Sequence, residues 1–203
     1  MIPNPFLSER SLQDRGYAHV AGIDEVGRGC IAGPVVAACV VLDEKCFPIA
    51  DQIRDSKKLS EKKREALYPQ IIEHAVSYGI GMIDHARVDQ INILQATFEA
   101  MQMAIAQCSI PPDACLIDGN QKAPIDLPQW TIVKGDQKVI SIACASIVAK
   151  VFRDRWMIQQ DKTYPYYGFA QNKGYGTLAH RQGIAKYGFC PLHRKSFQVQ
   201  IPT

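Results

Sequence analysis

The stretch of sequence that decides the fold is Gly22-Ile23-Asp24-Glu25-Val26-Gly27-Arg28-Gly29. The apolar residues from Val20 to Ile23 predict a buried strand, and the two glycines after the carboxylates predict a turn. Successive side chains on a strand point to opposite faces, so we expect the pleat to break after Glu25 if both carboxylates serve one site. A pair of solvated charges at a strand end is the commoner outcome and is the alternative.

The length and composition are those of a globular protein. The 203 residues, 47% of them hydrophobic and 21% charged, predict one domain with a sizeable core and a small appendage. We expect a catalytic domain over residues 1–163, with an N-terminal arm or short helix over 1–17, and a C-terminal extension over 164–203. The net charge of +3 is mild, so affinity for nucleic acid would depend on local clusters of basic residues.

Neither a membrane nor an oxidising compartment is indicated. The sequence has no run of about 18 apolar residues and no signal-peptide pattern, so we expect a cytoplasmic protein without membrane contact. Its seven cysteines are odd in number and scattered, without a C-x-x-C pair. They predict small core residues rather than a disulfide framework or a zinc site.

Predicted strands and helices alternate along the rest of the chain. Short apolar runs predict strands at 35–42, 77–84, 114–118 and 130–133, the first of them antiparallel to the opening strand because the connection is short. Ser60 is the predicted N-cap of a helix that runs to about residue 74. Helical spacing predicts two longer helices, at about 88–108 and 139–160, and in the second of these Asp154 is expected to be a salt-bridged structural residue.

Four carboxylates stand at or after predicted strand ends: Asp24, Glu25, Asp118 and Asp136. In open α/β sheets ligands gather at the carboxyl ends of the strands, so we expect these side chains to converge. Like charges resist joint ionisation unless a cation neutralises them, which predicts a site for hard divalent metal. Mg²⁺ or Mn²⁺ is favoured over zinc because no cysteine or histidine joins the set. Two such ions support hydrolysis of a phosphodiester.

The last fifty residues mix aromatic and basic side chains. Aromatic residues, glycines and a lysine fill 164–169 and 173–177, and the cations that follow are His180, Arg181, Lys186, His193, Arg194 and Lys195. Cations that meet phosphates, interleaved with rings that stack on sugars or bases, predict a nucleic-acid groove. Packing of this segment on the main domain would explain Phe169 and Tyr166 equally well.

Seven separated motifs together resemble bacterial ribonuclease HII over about residues 20–197. They are Asp24-Glu25-Val26-Gly27-Arg28-Gly29 with Ala32-Gly33-Pro34-Val35-Val36-Ala37-Ala38, Asp55-Ser56-Lys57-Lys58-Leu59, Ile117-Asp118-Gly119, Lys134-Gly135-Asp136, Ser146-Ile147-Val148-Ala149-Lys150-Val151, Lys173-Gly174-Tyr175-Gly176-Thr177 and His193-Arg194-Lys195-Ser196-Phe197. The resemblance implies an α/β protein of ribonuclease H-like fold, with a mixed five-stranded sheet flanked by helices and a small C-terminal helical part.

The resemblance also implies roles for individual residues. Asp24, Glu25, Asp118 and Asp136 match the family's metal-binding catalytic carboxylates, here with two Mn²⁺ or Mg²⁺ ions. The loop Gly27-Arg28-Gly29 matches the one that senses the ribose 2′-hydroxyl, and Tyr175 matches the tyrosine at the RNA-to-DNA junction. Weaker candidates for contacts to the nucleic-acid backbone are Lys57, Lys150, Lys173, Thr177, His180 and Arg194.

The implied activity is metal-dependent cleavage of the RNA strand of RNA–DNA hybrids. Incision 5′ to single ribonucleotides in duplex DNA, with 3′-hydroxyl and 5′-phosphate products, is implied as well. Hybrids and ribonucleotide-containing duplexes would be the partners of a monomeric enzyme, and contact with a sliding clamp stays open.

Two alternatives remain, and a few positions depart from the family pattern. A non-catalytic hybrid-binding domain of the same fold is opposed by the four carboxylates, and ribonuclease HIII is opposed by the roughly 20 residues before the first strand, since that family usually has a large N-terminal domain. Cys30-Ile31, Cys144 and Asn172 replace residues that are more common in the family. Because Cys30 adjoins the predicted ribose-sensing loop, we expect its modification to disturb binding.

Overall fold

The computed structural model describes residues 7–43, 49–53 and 59–202. Five strands form one sheet: β1 (Val20–Val26), β2 (Val35–Val41), β3 (Ser77–Ile83), β4 (Ala114–Asp118) and β5 (Gln129–Ile132). Their order across the sheet is β3-β2-β1-β4-β5. β2 is antiparallel to both β1 and β3, whereas β1, β4 and β5 run parallel. The predicted mixed five-stranded sheet is therefore confirmed.

Helices cover both faces of this sheet. They are α1 (Leu7–Gln13), α2 (Ala50–Ile53), α3 (Glu61–His74), α4 (His85–Ala106), α5 (Ile140–Asp161), α6 (Phe169–Asn172) and α7 (Leu178–Tyr187). The predicted cap of α3 is confirmed, because the Ser60 side chain accepts a hydrogen bond from the backbone N–H of Lys63. No helix among these residues is both long and apolar enough to cross a membrane.

The two long helices pack against the sheet at backbone contact. A Cβ atom added to Gly22 of β1 would lie 2.1 Å from the backbone carbon of Ser141 in α5. On the other face, Gly79 and Gly81 of β3 would each place a Cβ atom 2.0 Å from a backbone carbonyl oxygen of α4. Because glycine has no side chain at these positions, α4 and α5 lie closer to the strands than any other residue would allow.

The N-terminal segment is a short helix from residue 7 onwards, one of the two predicted forms. Leu12 of α1 is buried against β1 and β4. The carboxylate of Glu9 accepts hydrogen bonds from both the backbone N–H and the hydroxyl of Ser141, at 3.0 and 2.6 Å. Helix α1 thus contacts the first turn of α5, where the backbone N–H groups lack partners within the helix.

The residues after α5 pack on that helix and on the loop after β1 through a small apolar cluster. Phe169, Tyr167 and Ile184 contact Met157 of α5 and Ile31 of the loop that follows β1. Phe169 is fully buried, as the packing alternative predicted, whereas Tyr166 is exposed and stacks on Tyr187 at 4.2 Å between ring centroids.

Candidate active site

Asp24 and Glu25 lie on opposite faces of a regular strand. β1 stays paired with β2 through Val26, and Glu25 stands opposite Ala37 while Asp24 stands opposite Ala38. The predicted break of the pleat after Glu25 is therefore wrong. Asp24 points toward α5, where its carboxylate is hydrogen-bonded to Ser146, and Glu25 points toward α4. The two carboxylates approach each other around the end of the strand.

Asp118 and Asp136 come from the two parallel strands beside β1. Ile117 pairs with Ile23, so Asp118 follows at the end of β4 next to Asp24. The backbone N–H of Gly135 donates to Oδ1 of Asp118 at 2.6 Å. Residues Gly135–Gln137 form a 3₁₀ turn after β5, in which Asp136 is 1% exposed. Asp136 therefore directly follows Gly135, the residue whose N–H holds the Asp118 carboxylate.

The carboxylates of this cluster perturb one another. Burial raises the pKa of Asp24 well above its ordinary value, and the charges of Glu25 and Asp118 raise it further, while the Ser146 hydrogen bond acts in the opposite direction. Burial also raises the pKa of Glu25, and Arg28 counteracts that effect. Three of the predicted residues thus share one electrostatic environment, which favours binding of a cation.

A cavity of about 250 Å³ opens beside this cluster, between the ends of β1 and β4 and the helix α4. Glu25, Arg28 and Asp118 form its polar side. Leu94, Phe98 and Met101 form its apolar side.

The carboxylate oxygens of this cluster suit a hard divalent cation, although fewer than three of the described side chains converge on one point. Within residues 7–43, 49–53 and 59–202, no three His, Cys, Asp or Glu side chains are arranged so that they could hold a metal ion. Oε1 of Glu25 lies 3.1 Å from Nη1 of Arg28. Arg28 therefore bonds to one of the two oxygens through which Glu25 would hold an ion.

The glycine loop after β1 lies against the segment that carries Tyr175. The backbone N–H groups of Ile31 and Ala32 both donate to the carbonyl of Gly174, at 2.9 and 3.3 Å. Gly27 has a φ of +95°, which favours glycine. Tyr175 is 42% exposed, and Nζ of Lys150 lies 5.8 Å from its ring centroid.

Comparison with known proteins identifies the family. The model of the protein family described as Ribonuclease HII matches residues 21–200. The chain belongs to the ribonuclease HII family. It is therefore a hydrolase, an endoribonuclease that acts on RNA–DNA hybrids, and the non-catalytic alternative is not supported.

Individual members of the ribonuclease HII family are similar over nearly the whole chain. The Ribonuclease HII of Lachnoclostridium phytofermentans is 52% identical over 192 residues, which cover 95% of this chain and 75% of that protein. The crystal structure of ribonuclease H2 from Pyrococcus horikoshii is 27% identical with a TM-score of 0.73, covering 89% of this chain and 94% of that one. A ribonuclease HII from Archaeoglobus fulgidus, solved in complex with PCNA, is 25% identical with a TM-score of 0.75, covering 91% and 98%.

Three of the basic residues predicted to contact the backbone of nucleic acid are buried in this ribonuclease HII. His180 is fully buried, with Nδ1 at 2.8 Å from the carbonyl oxygen of Tyr175 and Nε2 at 3.0 Å from Nε2 of His193. Arg194 is 1% exposed and bonds to loop carbonyls. Nζ of Lys173 contacts the carbonyl of Ala170 and lies 3.4 Å from Glu61. These three side chains bond to other parts of the protein and support the site structurally. The interpretation of them as surface contacts to nucleic acid is therefore corrected.

The remaining predicted contacts lie at the surface or outside the described part. Thr177 is exposed and caps α7, two residues after Tyr175. Lys150 is partly exposed and forms an ion pair with Asp154 at 2.8 Å, so the structural role predicted for Asp154 is confirmed. Lys57 and its motif lie outside the described residues.

Two residues that support the site were missed in the sequence. Ser146 stands in the small-residue face of α5, and its hydroxyl signals nothing until the helix is placed beside Asp24. Arg153, fully buried in α5, donates to three backbone carbonyls. In the sequence, a charged residue in the middle of an amphipathic helix predicts solvent exposure. The one sign that Arg153 is buried is that no carboxylate stands one helical turn away to pair with it.

Proposed function

We propose that this enzyme incises duplex DNA on the 5′ side of a single embedded ribonucleotide and leaves a 3′-hydroxyl and a 5′-phosphate. The observation that supports this finer activity is the contact between the glycine loop and the Tyr175 segment, made through the carbonyl of Gly174. These two elements stand beside the carboxylate cluster, since Arg28 of the loop contacts Glu25.

The 2′-hydroxyl is the difference that the loop and Tyr175 are positioned to detect. DNA phosphates attract basic groups without regard to the sugar, so discrimination requires groups close to the ribose. Backbone polar groups of Gly27, Arg28 and Gly29 can approach it, because a Cβ atom is missing on both sides of Arg28. The partly exposed ring of Tyr175 packs on the neighbouring sugar while its hydroxyl can bond to the ribose.

Asp24, Glu25, Asp118 and Asp136 would hold two divalent cations, Mn²⁺ or Mg²⁺. Such ions activate water and stabilise the leaving oxygen of a phosphodiester. The residues of the chain prepare this site: Ser146 orients the Asp24 carboxylate, and the Gly135 N–H orients that of Asp118. Arg28 supplies the positive charge beside Glu25 while no cation is bound. With a cation in place, its partly exposed side chain would be free to turn toward the substrate.

The two parts of the chain have different roles. Residues 1–163 form the catalytic domain, with 1–17 as its arm, and residues 164–203 complete the nucleic-acid groove. Lys150 and Thr177 contact the backbone of the bound duplex, as does Lys57. The enzyme acts as a monomer in the cytoplasm.

A labelled duplex with one ribonucleotide tests the incision. We expect a single cut on its 5′ side in the presence of Mn²⁺, with products that a polymerase extends from the 3′-hydroxyl. The matched all-DNA duplex is the negative control, and an RNA–DNA hybrid of the same sequence shows that the preparation is active. Cleavage of the hybrid alone, or equal cleavage of the all-DNA duplex, would contradict the proposal.

A further inference from the structure

Two buried arginines hold the loop that we propose to recognise the ribose, and one of them also bonds to the segment that carries Tyr175. Arg153 of α5 and Arg194, from the segment after α7, are both buried. The guanidinium group of Arg153 lies between the loop 27–34 and Lys173, whereas that of Arg194 lies against the loop 27–34. Both guanidinium groups are hydrogen-bonded to backbone carbonyl oxygens, and the charge of Asp89 also acts on Arg194.

The hydrogen bonds of the two side chains cross between separate segments. Nε, Nη1 and Nη2 of Arg153 donate to the carbonyls of Pro34, Lys173 and Ala32, at 2.8, 2.7 and 3.1 Å. Nε and Nη1 of Arg194 donate to the carbonyls of Gly33 and Arg28, at 3.0 and 3.1 Å. A guanidinium holds several acceptors in one fixed fork, which a lysine ammonium cannot do.

These segments pack too closely for a side chain at two of their glycines. A Cβ atom on Gly27 would lie 2.4 Å from Nε of Arg153, and one on Gly174 would lie 2.4 Å from the carbonyl oxygen of Ala32. The distance between the loop and the Tyr175 segment is therefore set by the Arg153 guanidinium group and by direct backbone contact, while Arg194 fixes the position of the loop itself.

We propose that Arg153 and Arg194 are positioning residues that make the enzyme selective for an isolated ribonucleotide. This inference rests on the proposed function. With a single ribose in the duplex, the loop and the Tyr175 ring must meet the same nucleotide at the same time. In an RNA–DNA hybrid every position carries a 2′-hydroxyl, so a small displacement of one element still finds a ribose. Loosening the connection should therefore impair incision at a single ribonucleotide more than cleavage of a hybrid.

The test compares Arg153→Lys and Arg194→Lys with the parent on both substrates. We expect the ratio of kcat/KM for the single ribonucleotide to that for the hybrid to fall roughly ten- to a hundredfold, mainly through kcat, because misplacement by about 1 Å has effects of this size. Arg87→Lys is the matched control, since Arg87 is exposed on α4 and pairs with Glu99. Combination with Tyr175→Phe should give a smaller loss than the product of the single losses, because both changes act on one contact.

A measurement without substrate separates this inference from the proposed function. The Cys30 thiol is buried and donates to the carbonyl of Lys173, which is also an acceptor for Arg153. Alkylation of Cys30, mapped by mass spectrometry, should be faster in both lysine variants than in the parent and the Arg87→Lys control. If the parent cuts the hybrid but not the single ribonucleotide, the proposed function fails and the inferred selectivity fails with it, whereas the alkylation rates still show whether the two arginines hold the loop in place. Unchanged alkylation, or equal losses on the two substrates, would overturn the inference.

Discussion

Nη1 of Arg28 lies 3.1 Å from Oε1 of Glu25, so the residue between the two loop glycines neutralises a carboxylate of the candidate active site. The Arg28 side chain is 46% exposed, whereas that of Glu25 is 14% exposed. In the proposed metal site a divalent cation and Arg28 would therefore compete for the Glu25 carboxylate.

This competition predicts that Arg28→Gln tightens metal binding. Without Arg28 the cation no longer competes with an ion pair worth about 0.2–1 kcal/mol, so the Kd for Mn²⁺ should be lower by a factor of roughly 1.4 to 5. Calorimetric titration with Mn²⁺ in the absence of nucleic acid measures it. Arg87→Gln, which removes an exposed arginine elsewhere, should leave the Kd unchanged. Weaker binding in Arg28→Gln would argue against Glu25 as a ligand.

Asp118→Asn should abolish cleavage while the protein stays folded. The asparagine Oδ1 can still accept the hydrogen bond from the Gly135 N–H, but the charge that holds a cation is lost. We expect a decrease in kcat of roughly a thousandfold or more, with hybrid binding largely retained. Asp126→Asn in the exposed turn before β5 is the control. Near-normal turnover of Asp118→Asn would remove this residue from the metal site.

Removal of divalent ions should silence the enzyme reversibly. Every proposed ligand is a carboxylate oxygen, so dialysis against a chelator should stop hybrid cleavage, and Mg²⁺ or Mn²⁺ should restore it better than Zn²⁺. Circular dichroism before and after dialysis checks that the fold is intact. Activity that survives exhaustive dialysis would exclude a two-metal mechanism.

Tyr175→Phe should lower the preference for a single ribonucleotide by about 0.5–1.5 kcal/mol, the contribution of one hydrogen bond. Tyr175→Ala should lower it further, because the packing of the ring on the sugar is lost as well. The measurement is the ratio of kcat/KM values for the ribonucleotide-containing duplex and the hybrid. Tyr187→Phe, which alters another exposed tyrosine of the C-terminal segment, is the control. An alanine variant with the parent's ratio would show that Tyr175 takes no part in selection.

Acidification should destabilise the fold through the buried pair of histidines. Burial lowers the pKa of His193 to about 4, and the neighbouring His180 and His85 lower it as well. The unfolded imidazole titrates near 6.5, so between pH 6.5 and 4 the unfolded state binds more protons and the free energy of unfolding decreases as the pH falls.

The decrease attributable to His193 should reach up to about 3 kcal/mol. Urea unfolding at pH 7 and pH 4.5 gives the change for the parent and for His193→Gln. The difference between the two proteins isolates His193 from the carboxylates that titrate in the same range. Parallel pH dependences of the parent and the variant would contradict this role.

The sequence predicts the sheet well because its strands are short apolar runs that end at carboxylates or glycines. It also brings Asp24 and Asp118 together, since parallel neighbouring strands must end at one edge. The expected break of the pleat failed for a physical reason: Val26 still pairs with Val36, and the carboxylates converge around the strand end instead.

The C-terminal part was harder to predict because burial there is decided by tertiary contacts. His180 and Arg194 look like surface cations in the sequence, yet each is buried with backbone carbonyls as partners. Carbonyl oxygens are present at every residue and leave no pattern in the sequence. Helix α4 shows a second limit, since Asn92 takes a φ of +68° within a run that has continuous helical spacing.

The backbone contact of α5 with Gly22 also limits how this protein can be engineered. Replacing glycines by alanine is a common way to raise thermal stability, because it reduces the freedom of the unfolded chain. Gly22 lies two residues before Asp24 on β1, and a methyl group added there would push α5 away from the strand. Ser146 would move with α5, away from the Asp24 carboxylate that it orients. Gly79 and Gly81 impose the same restriction on α4, which lines the cavity beside Glu25. Searches for a heat-resistant variant should therefore leave the sheet glycines unchanged and begin with exposed positions distant from the active site.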